Sequence, residues 1–169
     1  MSPRYDLPKA APEPLRRVQL LVNSTDVHGE ADWLPEWLAA NGLEPSEGDR
    51  ARTLREALRA LVLANNGRPL DRAAVATLNV AARRLTVALG TDGAVRVESP
   101  GDALDRVVAI ALSAMLDGTW GRLKACRNCF WSFYDYSPNR SATWCSMQLC
   151  GNRAKTRSYR RRRASLHHG

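Results

Sequence analysis

The sequence predicts a mostly α protein with one small β-hairpin (α+β). A helical N-terminal domain precedes a small C-terminal module built on four cysteines and a basic helix. Three observations predict this. Apolar residues recur at helical spacing through several stretches. One Asp-Gly pair, Asp92-Gly93, is flanked by β-favouring runs. All four cysteines fall between Cys126 and Cys150, beside a run of arginines. At 169 residues the chain suits one ordinary domain plus a small module, on a prior of roughly 100–200 residues per domain.

Taken in order, residues 1–17 read as a flexible arm, because Pro3, Pro8, Pro12 and Pro14 oppose regular structure. Residues 18–118 read as the helical domain. It opens on "VQLLVNST", a strand or the start of a helix. "DWLPEWLAANGL" predicts a short helix with Trp33, Leu34, Trp37 and Leu38 on one face and Gly42 as its stop. Ser46 and Asp49 resemble a helix start, and Leu54, Leu58, Leu61 and Val62 continue as an apolar stripe until Asn66-Gly67. Asp71 is placed to cap a third helix carrying Val75, Leu78 and Ala82. "RLTVALGTDGAVRVES" then predicts a hairpin around Asp92-Gly93. Asp102 opens a further helix, in which Leu104, Val107, Val108, Ala111, Leu112, Met115 and Leu116 face a core and Gly118 is the stop. All these stripes are read as packing.

Charge is divided unevenly. Residues 1–121 carry 14 Lys and Arg against 16 Asp and Glu, whereas residues 122–169 carry 11 against Asp135 alone. The C-terminal net of +10 implies a polyanion partner, nucleic acid before an anionic membrane, since no Leu- or Phe-rich amphipathic face accompanies it. No apolar run approaches the ~18 residues of a membrane span, and the Pro-rich start lacks a signal peptide's apolar centre. A cytoplasmic protein is expected, nucleoid-associated if it binds DNA.

Cys126 and Cys129 are separated by two residues, Cys145 and Cys150 by four, and the pairs by fifteen. Two short thiolate loops meet the tetrahedral demand of zinc, and metal would supply ~10–16 kcal/mol of apparent folding free energy to a module without a core of its own. "NCFWSFYDYS" could supply a strand and "SPNRS" a turn. Disulfides suit an exported protein, and a thioredoxin-like pair needs a βαβ context that is missing here. A redox-responsive thiol or zinc site stays open. With four cysteines no position is left for substrate water, so one structural zinc ion is expected. Four thiolates on a divalent ion leave a charge that nearby cations offset, but four consecutive arginines exceed that need. In "RAKTRSYRRRR", Arg153, Lys155, Arg157, Arg160, Arg161, Arg162 and Arg163 would surround a helix leaving the second cysteine pair and meet phosphates. A solvated basic tail is the plainer reading of the same residues.

These residues carry a resemblance. "WCSMQLCGNRAKTRSYRRR", with Cys150-Gly151-Asn152-Arg153 at its centre, resembles the CGNR zinc-finger family. So do Tyr134-Asp135-Tyr136-Ser137, the Asn139-Arg140-Ser141 turn and Trp144, although Ala142 and Thr143 stand where many members have arginines. Upstream, "LLVNSTD", "LREALRALVLA" and "ATLN" resemble the helical ABATE domain. The resemblance implies a largely bacterial, stress-induced transcription regulator, with Cys126, Cys129, Cys145 and Cys150 as zinc ligands and no catalytic residues. Residues 119–169 then form the finger with its basic tail.

The leading expectation is binding to double-stranded DNA, with Asn139, Arg140, Asn152 or Arg153 reaching base edges, and an N-terminal domain that senses a small-molecule effector or forms a homodimer. Asn152 and Arg153 could instead pack against the metal site. An RNA- or ribosome-associated module is the alternative, with Tyr134, Tyr136 and Trp144 stacking on bases unless they form the finger's own core. An enzyme is not expected. "DVHGE" places Asp26, His28 and Glu30 together, but such spacing in a Gly-containing loop is more often a polar connection.

Overall fold

The computed structural model describes residues 9–25 and 31–157. Five helices form the body: α1 (Arg16–Val22), α2 (Leu34–Ala40), α3 (Gly48–Ala64), α4 (Arg72–Ala82) and α5 (Ala103–Leu116). Strands β1 (Thr86–Leu89) and β2 (Val95–Glu98) form an antiparallel hairpin between α4 and α5, with Val87 opposite Val97 and Leu89 opposite Val95. A second antiparallel pair, β3 (Leu123–Ala125) and β4 (Ser132–Tyr134), brackets the first two cysteines.

Local chemistry accounts for most boundaries. Asp71 accepts hydrogen bonds from the Ala73 and Ala74 amides and so caps α4. Asp102 does the same for α5 through Leu104 and Asp105. Gly118, at φ +79°, takes the left-handed turn that ends α5. "VQLLVN" resolves as helix, because α1 buries Val18, Leu21 and Val22 against the other helices at α spacing. The start of α3 differs from expectation. Ser46 falls within a 3₁₀ turn (Pro45–Glu47), and no side chain caps the helix. Leu116 also differs: it is 77 % exposed at the last turn of α5, where the core face has already turned away.

The Pro-rich arm has no helix or strand over residues 9–15, yet its described part is packed. Ala11 and Leu15 are buried, and Lys9 O accepts from the Tyr134 amide at 2.9 Å, as a neighbouring strand would. Tyr136 Oη donates to Ala10 O at 2.6 Å. Proline removes amide donors but leaves carbonyls free, so such a segment can still dock by accepting.

One apolar core unites the five helices with Trp120, Leu123, Ala125 and Tyr134, so the β3–β4 pair is built into the body. Polar side chains fix that junction. Gln19 of α1 and Asn23 just past its end donate to Ser132 O at 3.0 and 2.9 Å. At the end of α3, Asn65 donates to Trp120 O and Leu123 O, and Asn66 donates to Ala125 O at 2.7 Å. Trp33 meets Trp131 edge-on, with ring centroids 6.1 Å apart. No described helix is long and apolar enough to cross a membrane.

Candidate metal centre and basic helix

A second, smaller core consists of Cys126, Phe133, Cys145 and Cys150, with Cys129, Ala142 and Trp144 against it. Cys126 leaves β3 and enters a tight knuckle. Its amide donates to Trp131 O at 2.9 Å, and its carbonyl accepts from the Phe130 amide at 2.8 Å. Closing this loop puts Phe130 at φ +57°, a conformation that non-glycine residues seldom adopt. The second pair sits on a helical turn. Ser146 Oγ accepts from the Leu149 amide, and a π-helical turn (Met147–Gly151) carries Cys150 before continuing as α-helix over residues 152–157. A Cβ at Gly151 would come within 2.9 Å of Met147 Sδ, so a side chain there would require the exposed Met147 to shift.

The two loops bring four sulfurs together, all within 4.8 Å of one another. Cys129–Cys145, Cys145–Cys150 and Cys150–Cys129 are each 3.7 Å apart, sulfur to sulfur. A disulfide needs about 2.05 Å. A tetrahedron with zinc–sulfur bonds of about 2.3 Å has edges of about 3.8 Å, so the spacing fits zinc and not cross-linking. Cys126, Cys145 and Cys150 are buried and Cys129 half-buried. Without a cation the thiols restrain each other: sulfur hydrogen bonds from Cys129 and Cys145 hold Cys126 below the usual thiol range. The Cys129 thiol, hydrogen-bonded to Cys126, is pushed up, and the Cys145 thiol is raised as well. Full deprotonation of such a cluster requires a positive ion among the sulfurs. One structural zinc ion, held by these four cysteines, would supply that charge and the cross-link between the loops.

Two residues whose roles the spacing did not reveal support the site. Asn128 Nδ2 donates to Cys150 Sγ at 3.4 Å, and its Oδ1 accepts from Arg157. Asp135 is fully buried and accepts at both oxygens: Ser137 N and Oγ on one, Ala142 N and Lys124 Nζ on the other. Burial alone would raise its pKa, but these donors outweigh burial and hold the carboxyl at about 2. The aromatic-Asp-x-Ser pattern was the available signal for Asp135. Asn128 had none beyond its position inside the knuckle.

The cations divide into two groups. Arg122 donates to Asp135 O and Ser137 O, Lys124 to Asp135 and Arg140 O, and Arg157 to Asn128, so these three brace the module. Arg127, Arg140, Arg153 and Lys155 have no ion-pair partner among the described residues, and Arg127, Arg140, Arg153 and Lys155 are exposed. Asn139 is exposed in the turn before Arg140. Asn152 donates back to Gln148 O at 3.1 Å rather than to a sulfur. Arg160, Arg161, Arg162 and Arg163 lie outside the described residues, as do Asp26, His28 and Glu30. Of the aromatics considered for base stacking, Tyr134 is buried in the main core, Trp144 is half-buried in the metal core, and Tyr136 is 60 % exposed.

A helical body joined to a four-thiolate module is the architecture of a zinc-finger protein. Comparison with family models agrees with the geometry: residues 122–163 match the CGNR zinc finger, and residues 15–118 match ABATE, described as "Putative stress-induced transcription regulator". The ABATE match covers more than half of the chain, and the protein belongs to that family. No curated protein matches the chain.

Proposed function

We propose that the protein is a zinc-dependent regulator that binds double-stranded DNA through its C-terminal module and senses an effector through its helical body. The observation that carries the reading is the helix that leaves zinc ligand Cys150 and bears Arg153 and Lys155, neither with an acidic partner among the described residues. Exposed cations with no acidic partner are free to meet phosphates. Arg127, Arg140 and, outside the described residues, Arg160, Arg161, Arg162 and Arg163 add to the positive charge of the same C-terminal segment, and Asn139, Arg140, Asn152 and Arg153 are the residues assigned to base edges. Burial of Tyr134 and half-burial of Trp144 leave Tyr136, 60 % exposed, as the one of the three candidate aromatics open to a base, which supports duplex DNA ahead of single-stranded RNA.

Anisotropy titrations of the full zinc-loaded chain with mixed-sequence duplexes test this. With ~6 phosphates engaged, log affinity should fall against log salt with a slope near −5. Absence of duplex binding, or affinity independent of salt, would overturn the proposal.

A further inference from the structure

We infer that the cleft between α3, α4 and α5 is the effector site, and that it takes a small organic acid with an apolar body and one carboxylate. The inference rests on the regulator reading only for its consequence; the site itself stands on its geometry. The cleft holds about 410 Å³, within the ~300–1,000 Å³ usual for small-molecule sites. Its walls are apolar, formed chiefly by Leu54, Val80, Leu104 and Val108. Val80 is 60 % exposed at the rim, an aliphatic side chain that nothing described in the protein covers.

The charged groups at the mouth select the head group. Arg50 is committed to three acids, Glu47, Asp102 and Asp105. Asp105 is buried and holds Arg50 at 2.5 Å. Asp49 is fully exposed and pairs with Arg52 at 2.9 Å. Arg84 alone has a loose tie, 3.6 Å from the Asp105 oxygen that already holds Arg50, and its side chain is 59 % exposed. Among the described residues lining this cleft it is the one charge without a close partner. A guanidinium beside apolar walls suits a carboxylate, which it can grip bidentately, and repels an ammonium. Two further clefts among the described residues, of about 280 and 200 Å³, have linings with at most one charged residue, Arg52, which is already paired.

The cleft is also connected to the finger. Its α3 wall ends in Asn65 and Asn66, which hold β3, and its α5 wall runs through Trp120 into the same strand. A ligand that shifts α3 against α5 therefore acts on the strand that delivers Cys126.

Calorimetric titration of the zinc-loaded full chain, without DNA, tests the site, using octanoate as probe and octanamide and octylamine as neutral and cationic counterparts. Octanoate should bind more tightly than octanamide, by up to about fivefold, with octylamine weakest, since an exposed charge pair is worth up to about 1 kcal/mol. Arg84→Gln should remove the preference of acid over amide, and Val80→Trp should remove both by filling the cleft. Absence of octanoate binding at 5 mM, equal binding of acid and amide, or an unchanged preference in Arg84→Gln would overturn the inference. Since no DNA is present, those outcomes leave the duplex-binding proposal untouched, and its failure would leave the site standing.

Discussion

Asn66 bonds both backbone groups of Ala125: its Nδ2 donates to Ala125 O at 2.7 Å, and its Oδ1 accepts from Ala125 N at 3.0 Å. A single side chain thus pairs with β3 as a strand would, one residue before the first zinc ligand. The last turn of α3 and the metal centre are in consequence mechanically joined.

Replacing Asn66 with Ala should therefore cost more than a surface change. Two lost hydrogen bonds, with the amide and carbonyl of buried Ala125 left unpaired, amount to about 1–3 kcal/mol. Urea unfolding of the zinc-bound protein would measure this, and a loss near zero would mean that water replaces the side chain fully.

Zinc removal should act locally. The helical core is distinct from the sulfur cluster, so chelation should strip hydrogen-exchange protection from residues 126–150 while most of the helical circular dichroism survives. A single concerted loss of both signals would show that the body depends on the metal.

Asp135 sets a pH-dependent expectation. Its folded pKa of about 2 is below the unfolded value of ~3.9, so its contribution is fully present above pH ~4 and is lost as pH falls toward 2. Converted at 1.36 kcal/mol per unit, the shift is worth about 2 kcal/mol. Asp135→Asn should carry at least that penalty, and the penalty should not change between pH 6 and 8. A penalty that varied across that range would point to a different titrating group.

The basic helix should separate into two behaviours. Lys155→Ala should weaken duplex binding on all sequences alike and reduce the salt slope by about 1, leaving zinc retention unchanged. Arg157→Ala should in addition speed zinc loss to a chelator, because it frees Asn128 from the Cys150 sulfur. Equal zinc retention in both variants would remove Arg157 from its bracing role.

Much of this was legible locally. Helices α2 to α5 follow from apolar spacing, from Asp71 and Asp102 as caps and from Gly118 as a stop, all of which act within a few residues. The hairpin at Asp92-Gly93 is equally local, since its turn demands the positive φ that Gly93 supplies at +77°. The cysteine spacing was enough to expect zinc, because ligand chemistry and loop length constrain one another. The α1 segment was ambiguous, because a short apolar run serves a strand or a helix until its packing partner is known.

The sequence by itself determined the element types from α2 to α5, the four cysteines expected as ligands and the division of charge, all properties of neighbouring residues or of counts. Only the tertiary structure decided which polar groups hold the two halves together. Asn66 against Ala125, Asn23 against Ser132 and Tyr134 against Lys9 are separated by 59, 109 and some 125 residues, and no periodicity records such distances. It likewise decided which cations are spent on bracing and which stay free. Lys124 and Arg140 look alike in the sequence, but the buried carboxylate of Asp135 takes one and leaves the other exposed. A charge becomes available for a partner only when the fold has not already brought a counter-charge to it.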